Sequence, residues 1–136
     1  MCAMPEGGPN TAVARRLYDA FTTGDLEGVF AVLHPGVEWE LVGPAEIPYF
    51  GRHRGTEEMR RFFEVLGATC QVEAFEVHQT TETARGAVVE GFERGTFVGR
   101  GSYEMRWCHV MEMEVGLIRR FTDYLDTAPM SDAWRR

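Results

Sequence analysis

The chain has too few cysteines, at the wrong intervals, for a disulfide or metal-bound scaffold. Cys2, Cys70 and Cys108 are an odd number at irregular spacing, with no CxxC or Cys/His cluster beside them, so they read as reduced thiols. HxH and HExxH spacings are missing as well: His34, His53, His78 and His109 stand apart, and no metal site is expected. Clustered basic charge is absent. The formal net charge is −7, and Arg15-Arg16, Arg60-Arg61 and Arg119-Arg120 are scattered pairs that read as solvated edges rather than a phosphate-binding patch. That argues against a nucleic acid or an anionic membrane as partner. Residues 1–10 hold no apolar run, which speaks against a signal peptide or membrane span there and points to a cytoplasmic protein. No internal repeat or low-complexity segment interrupts the pattern.

What is present suffices for one core. With 136 residues, 44% hydrophobic and 26% charged, the chain reads as a single domain over residues 11–127, preceded by a flexible N-terminus (1–10) and followed by an unstructured or mobile C-terminal tail (128–136). In residues 11–23, Val13, Leu17, Ala20 and Phe21 share one helical face, and Gly24 follows as a stop. Asp25 can cap a second helix through Leu26, Val29, Phe30 and Leu33, ended by His34-Pro35-Gly36. Alternation then begins: Val37, Trp39 and Leu41 on one side and Glu38 and Glu40 on the other predict a strand over 37–42. A loop rich in Gly and Pro leads to a third helix over 56–66. Thr56 is its N-cap, Met59, Phe62, Phe63 and Leu66 its buried stripe, and Gly67 its end. From Gln71 onward come four strands, over 72–79, 87–95, 102–113 and 117–126. Helices first and a meander afterwards define an α+β fold, an antiparallel sheet covered on one face by three N-terminal helices.

The last two strands carry the chemistry. Period-two alternation puts Tyr103, Met105, Trp107, His109 and Met111 on one face. With a turn centred on 114–116, His109 lies opposite Phe121 and Trp107 opposite Asp123. An apolar surface then carries an imidazole and a carboxylate, which are expensive to desolvate unless they pair, bind something or open onto a cavity. The hairpin therefore reads as a pocket wall. Asp123 needs a partner, and Arg94 and His109 are the candidates. Glu90 faces the pocket or away from it depending on strand register. Trp39, Trp107, Phe63 and Met59 are core residues whose rings and chains also form the cavity wall. Met59 or Phe62 closes its base, and Tyr49 and Phe50 line its mouth. The opposite face alternates apolar with charged residues and includes Cys108, Val110, Ile118 and Tyr124, which predicts a homodimer packed sheet to sheet. By that parity Cys108 points away from the pocket and is a poor candidate for a nucleophile.

Three strings carry a family resemblance: Tyr18-Asp19-Ala20-Phe21-Thr22-Thr23-Gly24-Asp25-Leu26; Gly51-Arg52-His53-Arg54-Gly55-Thr56-Glu57-Glu58-Met59 with Phe62-Phe63; and His109-Val110-Met111 through Gly116-Leu117-Ile118 to Asp123-Tyr124-Leu125-Asp126. In order and separation, over residues 12–127, the chain resembles the SnoaL-like branch of the nuclear transport factor 2-like (NTF2-like) superfamily, which also includes ketosteroid isomerase and limonene epoxide hydrolase. The resemblance implies a curved antiparallel sheet wrapped as a cone around three helices, often dimeric through the outer sheet face. It leaves the chemistry open, because this scaffold hosts isomerases, cyclases, dehydratases, epoxide hydrolases and plain binding proteins.

Residue by residue, the resemblance is selective. Leu17 stands where ketosteroid isomerase has its Tyr, Leu41 at or next to its base, and His109 in place of its protonated Asp. Asp123 matches one Asp of the epoxide hydrolase Asp-Arg-Asp set, whose other members would fall near Phe92 and Arg94. His109 with Asp123 is most similar to the acid/base Asp with His and aromatic neighbours of the SnoaL-like cyclases. The resemblance thus assigns catalysis to His109 and Asp123. It assigns substrate contacts to Tyr18, Trp39, Tyr49, Phe50, Phe63, Phe92, Trp107 and Phe121, with no metal and no cofactor. The expected ligand is a small apolar molecule, and the expected chemistry is isomerisation, cyclisation, dehydration or water addition. The other reading is a non-catalytic ligand-binding or assembly module, which a filled cavity with His109 and Asp123 paired inside it would favour.

Overall fold

The computed structural model describes residues 7–136. Most of the expected flexible N-terminus, residues 1–6, lies outside the described residues, while Pro9 and Asn10 already belong to helix α1 (Pro9–Thr22). Pro9 suits the first helical turn, where its missing N–H has no intrahelical partner to lose. The cap comes from far away: Glu82, at the end of strand β3 (Cys70–Glu82), accepts from the Thr11 N–H at 2.9 Å and the Asn10 N–H at 3.4 Å. A carboxylate there complements the positive helix end. Val13, Leu17 and Tyr18 form the buried face, and Gly24, at φ +72°, ends the run as the sequence predicts. Asp25 caps α2 (Leu26–Ala31) by accepting from the Gly28 N–H at 3.0 Å.

Strand β1 (Leu33–Val42) begins earlier than the alternation indicates, because His34-Pro35-Gly36 is absorbed as an irregularity within the strand rather than ending α2. The expected loop after it contains a short edge strand, β2 (Gly51–Arg54), whose arginines face the β1 glutamates: Arg52 to Glu40 at 3.4 Å and Arg54 to Glu38 at 3.5 Å. Helix α3 (Gly55–Thr69) runs through Gly67 and hands over directly to β3 at Cys70. The sheet is completed by β4 (Gly86–Phe97), β5 (Ser102–Glu114) and β6 (Leu117–Leu125). Its order is β2-β1-β6-β5-β4-β3, six strands in a curved, unclosed sheet packed on helices. Neighbouring strands are antiparallel except β1 and β6, which are parallel because the whole α3-to-β5 excursion lies between them.

The tail corrects the sequence reading. Residues expected to be unstructured form helix α4 (Thr127–Arg135), with Met130 and Ala133 fully buried and Trp134 edge-on to Phe97 at 5.3 Å. Three apolar residues at helical spacing are too short a signal to stand out in sequence, yet they cover the open end of the sheet. None of the described helices is long and apolar enough to cross a membrane.

The β5–β6 hairpin differs from its expected register by two residues. Its turn is the two-residue pair Val115-Gly116, both at positive φ (+48° and +75°), so Glu114 pairs with Leu117. A bulge then shifts the ladder by one: Met113 pairs with Ile118, but Glu112 pairs with Arg120, leaving Arg119 over. His109 therefore faces Asp123, not Phe121; Phe121 lies opposite Met111, and Trp107 opposite Leu125. The two-residue turn also sets Ile118, expected on the outward face, against Met113 and into the core at 0% exposure.

Val115 is a β-branched residue in the left-handed region, 87% exposed, with nothing to gain from its methyl groups. Val115→Asn should raise stability by about 1 kcal/mol, read from urea denaturation, because Asn tolerates the turn geometry that Val resists.

Candidate functional site

The inner face of the sheet carries a row of aromatic rings. Trp107 stacks on His109 at 4.0 Å with 15° between planes, and His109 meets Phe121 at 4.5 Å. Phe121 stacks on Trp39 at 3.6 Å and 6°, while Phe75 covers the far side of Trp107 at 4.9 Å. The imidazole is thus clamped between rings supplied by its own strand and by β6, and its plane is set before any hydrogen bond is counted. Gly91 makes this possible. It pairs with Trp107, and a Cβ there would collide with the indole and with the Glu76 carbonyl.

Hydrogen bonding then orders the protons. The Tyr18 hydroxyl lies 2.8 Å from His109 Nδ1. Burial, with the Asp123 charge adding to it, pushes the Tyr18 phenol far above its ordinary range, so it keeps its proton, and Nδ1 is its acceptor at hydrogen-bond distance among the described residues. With Nδ1 accepting, the ring N–H is Nε2, which faces Asp123 Oδ1 at 3.2 Å. That contact is close but poorly aligned: by direction Oδ1 receives no hydrogen bond, although it is sealed from solvent. A buried acceptor in that state costs about 1–3 kcal/mol, more when charged, so Asp123 stores an unmet demand for a proton or a donor. Of the two partners considered for Asp123, His109 is the one at its side. Arg94 points outward to Glu73 at 3.9 Å.

These groups border a pocket of about 70 Å³. Tyr18 and Phe63 line it from the helices, Trp39 from β1, and Tyr49 and Phe50 from the β1–β2 connection. His109, Phe121 and Asp123 line it from the sheet, and Phe62 rather than Met59 closes it. Two expected contacts fail. Phe92 alternates onto the outer face, paired with Arg106, because the pocket side of β4 is the odd-numbered one. Trp107 is buried behind His109 and supports the imidazole without bordering the pocket. Glu90 is exposed on the outer face. Among the described residues no group of three or more His, Cys, Asp and Glu side chains is arranged to hold a metal ion.

Sequence reasoning missed a second carboxyl. Glu93 of β4 lines the same pocket, and its Oε2 accepts from the Tyr103 hydroxyl at 2.5 Å. Tyr103 in turn lies 2.8 Å from Cys70 Sγ, and its ring fits over Gly95, where a Cβ would strike the phenol oxygen. Burial pushes the Glu93 carboxyl up to about 7; the Tyr103 hydrogen bond opposes this, and the Asp123 charge adds to it. The clue in the sequence is Gly91-Phe92-Glu93-Arg94-Gly95, two glycines flanking a carboxylate at strand spacing. It has meaning only once β4 is registered against Trp107 and Tyr103. Met105 and Met130 also line the pocket and were not anticipated there.

Six strands curved over helices, with an aromatic pocket at their inner face, define the NTF2-like class of folds. The SnoaL-like domain family matches residues 14–121, and the chain belongs to that family. An NTF2-like protein of unknown function from Burkholderia pseudomallei K96243 is 28% identical, with a TM-score of 0.84 over 93% of this chain and 98% of that one. TerC, co-crystallised with polyporic acid, shares 21% identity at a TM-score of 0.81, covering 95% and 100% of the two chains. An LEH-like epoxide hydrolase of M. tuberculosis shares 21% at 0.70, covering 96% and 90%. No curated protein matches the chain.

A Glu93 carboxyl raised from 4.5 to about 7 binds its proton more tightly in the folded than in the unfolded chain. Its contribution to stability is therefore full below about pH 4.5 and is lost as pH rises through about 7. Glu93→Gln removes this dependence, so urea denaturation should show wild type losing stability relative to the variant across that window.

Proposed function

We propose that this protein performs acid/base chemistry without a cofactor on a small, uncharged, mostly apolar molecule held in the pocket. Asp123 takes a proton from carbon or from water. The Nε2–H of His109 donates to the oxygen on which charge develops, and Tyr18 holds the imidazole in the required tautomer. Isomerisation, cyclisation, dehydration and water addition all need this pair of roles. The observation that carries the reading is the Asp123 Oδ1 atom: buried, 3.2 Å from an oriented imidazole, and without a hydrogen bond. Trp39, Tyr49, Phe50, Phe63 and Phe121 supply the apolar contacts, with Tyr49 as a second hydroxyl. The epoxide hydrolase and the polyporic-acid-bound TerC on related folds support a small organic ligand.

The experiment uses a minimal carbon acid. Wild type should speed exchange of the methyl protons of acetophenone in D2O above the buffer rate, followed by proton NMR. Asp123→Asn should reduce that acceleration by at least about a hundredfold. The reading fails if wild type gives no acceleration or if the variant matches it.

One observation favours a second reading, a ligand-binding or assembly module. The pocket's 70 Å³ has room for roughly five water positions, and the His109–Asp123 pair already occupies its wall. A purely structural pair predicts no exchange by wild type and a loss of about 3–5 kcal/mol in Asp123→Asn.

The remaining parts of the proposal concern setting. Acidic composition and the lack of a membrane-crossing helix among those described support a cytoplasmic protein. Tyr124, 51% exposed, with the half-buried Cys108 and Val110 beside it on the outer sheet face, supports a homodimer through that face, although Ile118 no longer contributes. Sedimentation at micromolar concentration should give the mass of a dimer, and Tyr124→Glu should give a monomer; a wild-type monomer overturns this part.

A further inference from the structure

The pocket has two polar ends, and the mechanism above uses one. Around Asp123 stand His109 and Tyr18. At the other end, Glu93 is joined to Tyr103, Tyr103 to Cys70, and the Tyr49 phenol lies beside Cys70. Glu93 pairs with Met105 and Asp123 with His109, four residues apart on β5 but on opposite sides of it, so the two backbone anchors stand about 17 Å apart at about 3.4 Å per residue and about 4.8 Å per strand. Both side chains border the same pocket, whose room for roughly five water positions suits one six-membered ring with a short substituent at each end.

At the second end the Tyr103 hydroxyl donates to Glu93 Oε2, and its oxygen lies 2.8 Å from Cys70 Sγ. One carboxyl oxygen is thereby occupied. The other, Oε1, makes no hydrogen bond among the described residues, and Glu93 borders the pocket. Unlike Asp123 Oδ1, it is not a sealed atom without a partner.

Resting on the reading of this pocket as a ligand site, we propose that Glu93, positioned by Tyr103, is a second recognition group, donating a hydrogen bond to an acceptor oxygen at the end of the ligand remote from Asp123. The substrate class is then a single-ring, uncharged carbonyl compound with an ether, carbonyl or hydroxyl oxygen opposite its reacting carbon. Such a molecule satisfies both carboxyl groups at once. A hydrocarbon end would leave Glu93 undonated in an apolar wall. Gly91 and Gly95 admit the rings of Trp107 and Tyr103 on either side of Glu93, so its backbone neighbours are committed to positioning it.

The test uses two probes of nearly equal shape, 4-methoxyacetophenone and 4-ethylacetophenone, titrated by calorimetry at about pH 6. Wild type should bind the methoxy compound about five- to tenfold more tightly, the worth of one net hydrogen bond. Glu93→Leu should abolish or reverse that preference, while Glu93→Gln, whose amide still donates, should keep it. Raising the pH above about 7 should erase the preference in wild type, because an ionised Glu93 only accepts, and leave it in Glu93→Gln. The groups facing Glu93 are Tyr103, Cys70, Tyr49 and Asp123, with His109 beyond Asp123. Among these the pH response is assigned to Glu93 by its loss in the Gln variant. This comparison also carries the test if the Leu variant does not fold. Equal binding of both probes by wild type, or a preference that survives in Glu93→Leu, overturns the inference while leaving the pocket a ligand site. Failure of wild type to bind either probe overturns both readings.

Discussion

A single extra residue in β6 governs which side chains meet on the pocket face. Between the pairs Met113 with Ile118 and Glu112 with Arg120, Arg119 has no partner on β5, and the neighbouring strand β1 loops out at the same level between Leu33 and Glu38. Arg119 bridges the two irregularities: it donates to the Gly36 carbonyl at 2.6 Å and lies 3.6 Å from Glu38. Without the bulge, the two-residue turn would set Thr122 against His109 and turn Asp123 outward, since side-chain direction alternates with every residue. Ile118, set against Met113 by the turn itself, would keep its place in the core. The His109–Asp123 pairing is thus a consequence of backbone register held from outside the pocket.

The charged outer face gains a purpose from this arrangement. Glu38 lies within 3.6 Å of Arg54, Arg119 and Arg120, gathering arginines from β2, the bulge and β6. Isolated surface ion pairs contribute little, but three cations sharing one carboxylate tie three adjacent strands at the level where their ladder slips. The paired arginines at 119–120 thus both reach Glu38 on the neighbouring strand, where the sequence shows only a solvated edge.

Inside, the same alternation is filled by large rings over small residues. Trp107 and Tyr103 on β5 lie over Gly91 and Gly95 on β4, and the rings in turn support His109 and Glu93. The pocket's two titratable ends are built alike, each a carboxyl held near a tyrosine, but their surroundings differ. Asp123 has an imidazole beside it, whereas Glu93 has only phenols and a thiol, and burial there, with the Asp123 charge adding to it, holds the Glu93 proton up to about pH 7. Two carboxyls in such different surroundings border one small space.

The α+β class, the helix stop at Gly24, the cap at Asp25 and the membership of the inner face of β5 were all legible in the amino-acid sequence, because each rests on neighbours within a few residues. The sharing of one face by His109, Phe121 and Asp123 was legible too, since period two survives a register error of two. What lay beyond it was whatever depends on contacts distant in the chain: His109 opposite Asp123, β2 recruited by the Glu38 and Glu40 ladder, α4 docking Met130 at the end of the sheet, and Glu93 rather than Phe92 or Glu90 turned inward. Alternation states which residues of a strand travel together. Only the packed sheet, through one bulged arginine and two glycines under aromatic rings, decides which face is in and which residue stands opposite.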